Sequence, residues 1–91
     1  MTQFPLPMIH RNGTSAGELF DQAMSALDAL RVAAKALEDM APNARDYYPR
    51  GAGAFPMAQE CHASRLARID EIRAEVNAIA EAIDEQRSST P

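Results

Sequence analysis

The chain has 91 residues and a formal net charge of −4, so it is one small domain at most and lacks the excess positive charge of duplex nucleic-acid binding proteins. Its residues are 46% hydrophobic, but many are alanines, and there are only three phenylalanines, two tyrosines and no tryptophan. A single core of this size and composition would be marginally stable. The composition therefore favours burial shared between chains, which predicts a homo-oligomer.

The sequence suggests no targeting segment, no membrane span and no disulfide. The single cysteine, Cys61, excludes an internal disulfide and suits a reducing compartment. No apolar run approaches the roughly 18 residues of a membrane span, and the N-terminus lacks the charged and apolar regions of a signal peptide. We therefore expect a cytoplasmic protein that has no membrane partner.

The first predicted element is an extended arm, followed by a helix. Residues 1–14 carry two prolines and a glycine, which disfavour regular structure. Ser15 and Glu18 form a capping-box pattern, in which each side chain binds the backbone N–H of the other residue. The apolar period continues from there until Pro42, which disfavours helix at the residue before it. The first helix is predicted over 15–41.

Two apolar rows run along this helix. The first row steps by three and four residues, as in a heptad seam, and comprises Phe20, Ala23, Leu27, Leu30, Ala34, Leu37 and Ala41. The second row lies beside it and comprises Leu19, Ala26, Ala33 and Met40. One row is enough to contact a single partner helix, so two rows indicate a second neighbour.

A connection over 42–55 precedes a second predicted helix over 56–87 and a polar tail over 88–91. Pro56 suits the first turn of a helix, where its missing N–H is not needed. The apolar seam of this helix is aliphatic in its later turns and polar toward the connection. Its members are Ile69, Ile72, Val76, Ile79 and Ile83, and its backward extension reaches Arg65, His62 and Ala58.

These elements predict an all-α fold. One domain, residues 1–91, would form an antiparallel helical hairpin of two long helices with an extended N-terminal arm. The two apolar rows predict assembly into a four-helix bundle or a higher oligomer. The alternative is a monomeric hairpin with a short third helix at the N-terminus.

The connection collects side chains that suit a planar, anionic ligand. Arginine binds phosphate or carboxylate bidentately, and tyrosine rings stack on a nucleobase. Antiparallel geometry brings the start of the second helix beside the connection. The candidate ligand-binding residues are Arg45, Tyr47, Tyr48, Arg50, His62 and Arg65. Two other interpretations remain open: the tyrosines close the end of the bundle, or the connection contacts another protein.

A second candidate segment lies in the arm. Asn12 and Gly13 form a turn signal, whereas His10, Arg11 and Thr14 have no derivable structural role. Because the arm and the connection lie at opposite ends of one hairpin, His10, Asn12 and Thr14 could join the site only from a neighbouring chain. A solvated turn is the simpler interpretation.

The sequence motifs indicate neither a catalytic site nor a metal site. Two histidines and one cysteine match no zinc spacing, and no phosphate loop, nucleophile elbow or paired-carboxylate site is present. Cys61 is expected to pack as a small hydrophobic residue. We therefore expect no catalytic residues, no metal, no cofactor and no enzymatic activity.

Three segments resemble a family of small, uncharacterised bacteriophage and prophage proteins. They are "IHRNGTS" (9–15), "NARDYYPRG" (43–51) and "HASRL" (62–66), against the family's I-H-L-N-G-T-S, N-G-R-D-Y-Y-P-Q-G and E-H-x-x-R-L. The chain departs from that pattern at four positions: Arg11, Ala44, Arg50 and Cys61. The resemblance implies a phage origin, and hence a location in the host cytoplasm.

The function predicted from these observations is non-enzymatic binding. By analogy with phage proteins that sequester the cyclic nucleotide signals of bacterial immunity, the oligomer would bind an anionic nucleotide-type signal at its Tyr/Arg connection. The alternative is a protein-interaction or assembly module of phage DNA metabolism that has no small-molecule ligand.

Overall fold

Two long helices pack against each other in the computed structural model, which describes residues 3–88. Helix α1 spans Ala16–Asp39 and helix α2 spans Ala54–Ser88. Two 3₁₀ turns, Ala44–Asp46 and Tyr48–Arg50, form the connection. The predicted all-helical hairpin is thus confirmed, and the chain measures 64 × 24 × 19 Å.

The ends of the helices follow from local chemistry. The Ser15 hydroxyl accepts a hydrogen bond from the Glu18 N–H at 3.2 Å and caps α1. The capping box is only half formed, since within residues 3–88 no bond returns from the Glu18 carboxylate to the Ser15 N–H. Helix α2 begins at Ala54, so Pro56 is its third residue. The missing N–H of Pro56 is tolerated there because the first four N–H groups of a helix have no intrahelical partner. It extends through Ser88, and the expected tail at 89–91 lies outside the described residues.

The interface between the helices uses the first apolar row of α1. Ala23 and Ala34 are buried and Leu27, Leu30 and Leu37 are half-buried. The second row is open: apart from the half-buried Leu19, its members Ala26, Ala33 and Met40 are exposed. One hairpin therefore covers one of the two rows.

The seam of α2 also faces α1 for most of its length. Ile83 is 1% exposed, and Ile69, Val76 and Ile79 are half-buried, whereas Ile72 is 48% exposed. Few side chains are fully covered, so the hairpin has a thin core. Among residues 3–88, no helix is long and apolar enough to cross a membrane.

The N-terminal arm lies along the end of α2 opposite to the connection. The Ile9 N–H donates to Gln86 Oε1 at 2.7 Å, and Gln86 Nε2 donates to the Pro7 carbonyl at 2.8 Å. Residues 3–14 contain no helix, so the described part of the arm does not form the third helix of the alternative fold. The Arg87 guanidinium lies 4.5 Å from the centroid of the Phe20 ring and joins the two helices at the same end.

Candidate functional site

A cavity of about 340 Å³ lies where the connection meets the first turns of α2. Its walls come from the end of α1, from the connection and from α2. The lining residues are Met40, Pro42, Tyr47, Arg50, Ala54, Met57, Ala58, Cys61, His62 and Arg65.

The connection is shaped by two local features. The Asn43 side chain accepts from the Arg45 N–H at 3.2 Å and caps the first 3₁₀ turn. Gly51 has φ +109°, a conformation that residues with a Cβ rarely adopt, and it allows the chain to leave the second turn and enter α2.

The two tyrosines have different environments. Tyr47 is half-buried, lines the cavity and lies with its ring centroid 6.4 Å from that of Phe55. Tyr48, the next residue, is 73% exposed and does not line the cavity. Only one of the adjacent aromatic rings therefore forms part of the cavity wall.

The arginines of the connection divide in the same way. Arg50 lines the cavity together with Arg65 of α2, whereas Arg45 does not. Within residues 3–88 none of the three forms an ion pair. The cavity is thus lined by two arginines that form no ion pair within residues 3–88.

His62 is the one buried polar residue in the described range. It is 6% exposed, and its Nε2 is buried with no hydrogen-bond partner among residues 3–88. A buried polar atom without a partner costs about 1–3 kcal/mol relative to its hydrated state. His62 lies on the backward extension of the α2 seam, which is why the helix carries it inward.

The arm residues lie far from this cavity. Ile9 binds Gln86, which is 24 residues, or about 36 Å of helix, from His62. His10, Asn12 and Thr14 are exposed and share no surface with the cavity in one chain. The Gly13 N–H bonds the His10 carbonyl at 3.2 Å, which closes the predicted turn.

The apolar wall of the cavity was missed as part of the site. Met40 and Met57 line it and are also strongly exposed. Their sequence positions could have indicated this role. Met40 ends the second apolar row of α1, and Met57 directly precedes Ala58 of the α2 seam, so both lie beside the connection. Cys61 also lines the cavity and is exposed, so its expected burial is wrong.

Metal binding finds no candidate in the described range: no group of three or more His, Cys, Asp or Glu side chains within residues 3–88 could hold an ion. Comparison with known proteins yields no match among family models, curated sequences or solved structures.

Proposed function

We propose that this chain is a phage-encoded, non-enzymatic protein that binds a small anionic nucleotide-type ligand in the cavity at the connection. It acts as a homo-oligomer in the host cytoplasm and sequesters the ligand, a signal of host defence. The phage origin is supported by the three segments 9–15, 43–51 and 62–66. The ligand class is supported by the chemistry of the cavity.

The observation that carries the proposal is the buried His62, which lines a cavity that also holds two arginines and whose Nε2 has no hydrogen-bond partner within residues 3–88. In the ligand-free chain this nitrogen is covered by the protein; a ligand atom that hydrogen-bonds it after the imidazole turns toward the cavity removes its desolvation cost. A wall that combines these polar side chains with apolar residues such as Met40 and Met57 is typical of ligand sites, which pair hydrophobic surface with a few polar groups.

The arginines set the sign of the ligand's charge. Arg50 and Arg65 form no ion pair within residues 3–88 and approach the cavity from two different elements. A phosphate or carboxylate accepts two parallel hydrogen bonds from each guanidinium. An anionic group is therefore the partner that best neutralises this part of the cavity.

Tyr47 and the two methionines suit the base of a nucleotide. The Tyr47 ring is half-buried and held beside Phe55, so little conformational entropy is lost when a base stacks on it. Met40 and Met57 supply adaptable apolar contacts. The volume of about 340 Å³ lies at the lower end of small-molecule sites, which fits one nucleotide unit.

The test is a titration of the purified protein by isothermal calorimetry, with adenosine and guanosine monophosphates and with cyclic dinucleotides of adenine and guanine as probes. We expect saturable binding that Arg50→Ala and Arg65→Ala each weaken at least about tenfold, because each removes a charged hydrogen-bond donor. Arg45→Ala is the matched control, since Arg45 belongs to the same connection but does not line the cavity, and this variant should bind as the parent does.

Two results would contradict the proposal. If no probe bound, the chain would be better explained as the protein-interaction or assembly module given above as the alternative. If Arg45→Ala weakened binding as much as Arg50→Ala, the ligand would lie elsewhere on the connection.

A further inference from the structure

An apolar groove between α1 and α2 is open at the middle of the hairpin. It has a volume of about 440 Å³ and is lined by Leu30, Leu37, Arg65, Arg68, Ile69 and Ile72. Ile72 belongs to the α2 seam, yet 48% of it is exposed. The groove is therefore a part of the hydrophobic seam that one hairpin does not cover.

The total exposed surface is large for a chain of this mass. It amounts to 6972 Å², whereas a monomeric globular protein of 9.9 kDa exposes about 5,200 Å². The elongated shape, 64 × 24 × 19 Å, accounts for part of the difference, which exceeds the roughly 800 Å² per partner that a standard protein interface buries. The exposed area is thus sufficient for a stable interface with another protein chain.

Two opposite charges flank Ile72 on its own helix. Arg68 precedes it by four residues and Glu75 follows it by three, so all three side chains lie on one face of α2. Glu75 is half-buried, and neither charge forms an ion pair within residues 3–88. By contrast, Arg73 on the same helix pairs with Asp70 three residues away.

We propose that a second copy of this chain covers the groove in an antiparallel orientation, with the two-fold axis at Ile72. An axis at that position sets Arg68 of each copy level with the partner's Glu75 to within one residue, about 1.5 Å, and two intermolecular ion pairs result. A parallel pair would instead set Arg68 beside Arg68 and Glu75 beside Glu75, which like-charge repulsion disfavours. For a pair of identical copies, the charge order along α2 therefore favours the antiparallel direction.

The same axis brings the two ends of the hairpin together. Met57 lies 15 residues before Ile72 and Gln86 lies 14 residues after it, so Met57 is level with the partner's Gln86 to within about 2 Å. Gln86 holds the N-terminal arm, and Met57 lines the cavity. Antiparallel pairing thus sets the arm of one copy beside the cavity of the other; this step rests on the homo-oligomer of the proposed function.

The experiment is sedimentation velocity on the full chain and three variants: Arg68→Glu, Glu75→Arg, and the double variant that exchanges the two charges. We expect the parent to sediment as a dimer or a multiple of it. Each single variant should raise the dimer dissociation constant at least about tenfold, because it creates two like-charge contacts per dimer. The double variant should restore the constant to within about threefold of the parent. Glu85→Arg, an exposed change of the same sign outside the groove, should have no effect.

Orientation is measured independently with a spin label on Glu85→Cys in a Cys61→Ser background. Antiparallel copies separate the two labels by about 40 Å along the helix axis, whereas parallel copies separate them only by the width of the bundle, about 20–25 Å. A monomeric parent, a failure of the double variant to restore assembly, or the shorter distance would each overturn the proposal. Calorimetric titration with the nucleotide probes reports on the cavity separately, so a wrong interface is distinguished from a wrong ligand.

Discussion

The amide oxygen of Gln86 accepts a hydrogen bond from the backbone N–H of Ile9 at 2.7 Å, although the two residues are 77 positions apart in the chain. The nitrogen of the same amide donates to the Pro7 carbonyl at 2.8 Å and to the Ala82 carbonyl at 3.2 Å. One side chain therefore satisfies two backbone groups of the arm and fixes the arm on the end of α2.

Gln86→Ala is expected to release the arm. The loss of two partly buried hydrogen bonds should lower the free energy of unfolding by about 1–2 kcal/mol. Urea denaturation measures this change, and hydrogen exchange at the Ile9 amide should accelerate in parallel. Gln59→Ala, an exposed glutamine of the same helix, is the control. Unchanged exchange at Ile9 would contradict the role given to Gln86.

Ile83→Ala should be the most destabilising aliphatic truncation of α2, because Ile83 is 1% exposed. Buried Ile→Ala changes cost about 2–5 kcal/mol through lost transfer energy and the cavity that remains. Val32→Ala serves as the control, since Val32 is 55% exposed and should change stability by no more than about 0.5 kcal/mol. Thermal and urea unfolding measure both. Similar losses in the two variants would mean that α2 does not pack as described.

Ser15→Ala tests the helix cap. The hydroxyl that accepts from the Glu18 N–H is removed, which should cost about 1 kcal/mol. Ser25→Ala changes an exposed serine inside α1 and should be neutral or slightly stabilising, because alanine has the higher helix propensity. Ser15→Asp retains an acceptor and should restore most of the loss in urea denaturation. A cap that contributes nothing would give equal stabilities for both alanine variants.

Gly51→Ala tests the turn that leads into α2. A Cβ at Gly51 meets no atom within 4 Å, so any loss of stability reports on the backbone conformation, φ +109°, and not on a steric clash. We expect a loss of about 1–2 kcal/mol. Gly53→Ala is the matched control: its Cβ also meets nothing and its φ is not positive, so it should lose less stability than Gly51→Ala, only the cost of an alanine beside the start of α2. Equal unfolding midpoints for the two variants would refute this assignment.

His62→Leu separates the binding role of His62 from a structural one. Replacement of the unpartnered Nε2 by an apolar group of similar size should raise the stability of the ligand-free protein by about 1–3 kcal/mol. The same change should abolish nucleotide binding. His10→Leu, at an exposed position of the arm, controls for a general effect of leucine. A destabilised His62→Leu variant would show that His62 supports the fold.

The sequence by itself determined the two helices and their common face. A period of three and four residues, the Ser15 cap and the stop before Pro42 are local signals, and each acts within about one turn of the chain. They predicted that α1 would end near Met40 and that Ile83 would lie on the interior seam. Whether the seam would carry His62 inward stayed open, because burial depends on the partner helix.

Only the tertiary structure decided which members of the connection share a cavity. Tyr47 and Tyr48 are adjacent, and Arg45 and Arg50 flank them. Their positions in the sequence therefore do not distinguish the tyrosine or the arginine that lines the cavity from the one that does not. With the connection folded into two 3₁₀ turns, Tyr47 and Arg50 line the cavity, whereas Tyr48 and Arg45 do not. The docking of the arm on Gln86 is a contact between the two ends of the chain, and no local pattern encodes it. Periodicity reports which face of a helix is apolar; the packing of distant segments decides what that face meets.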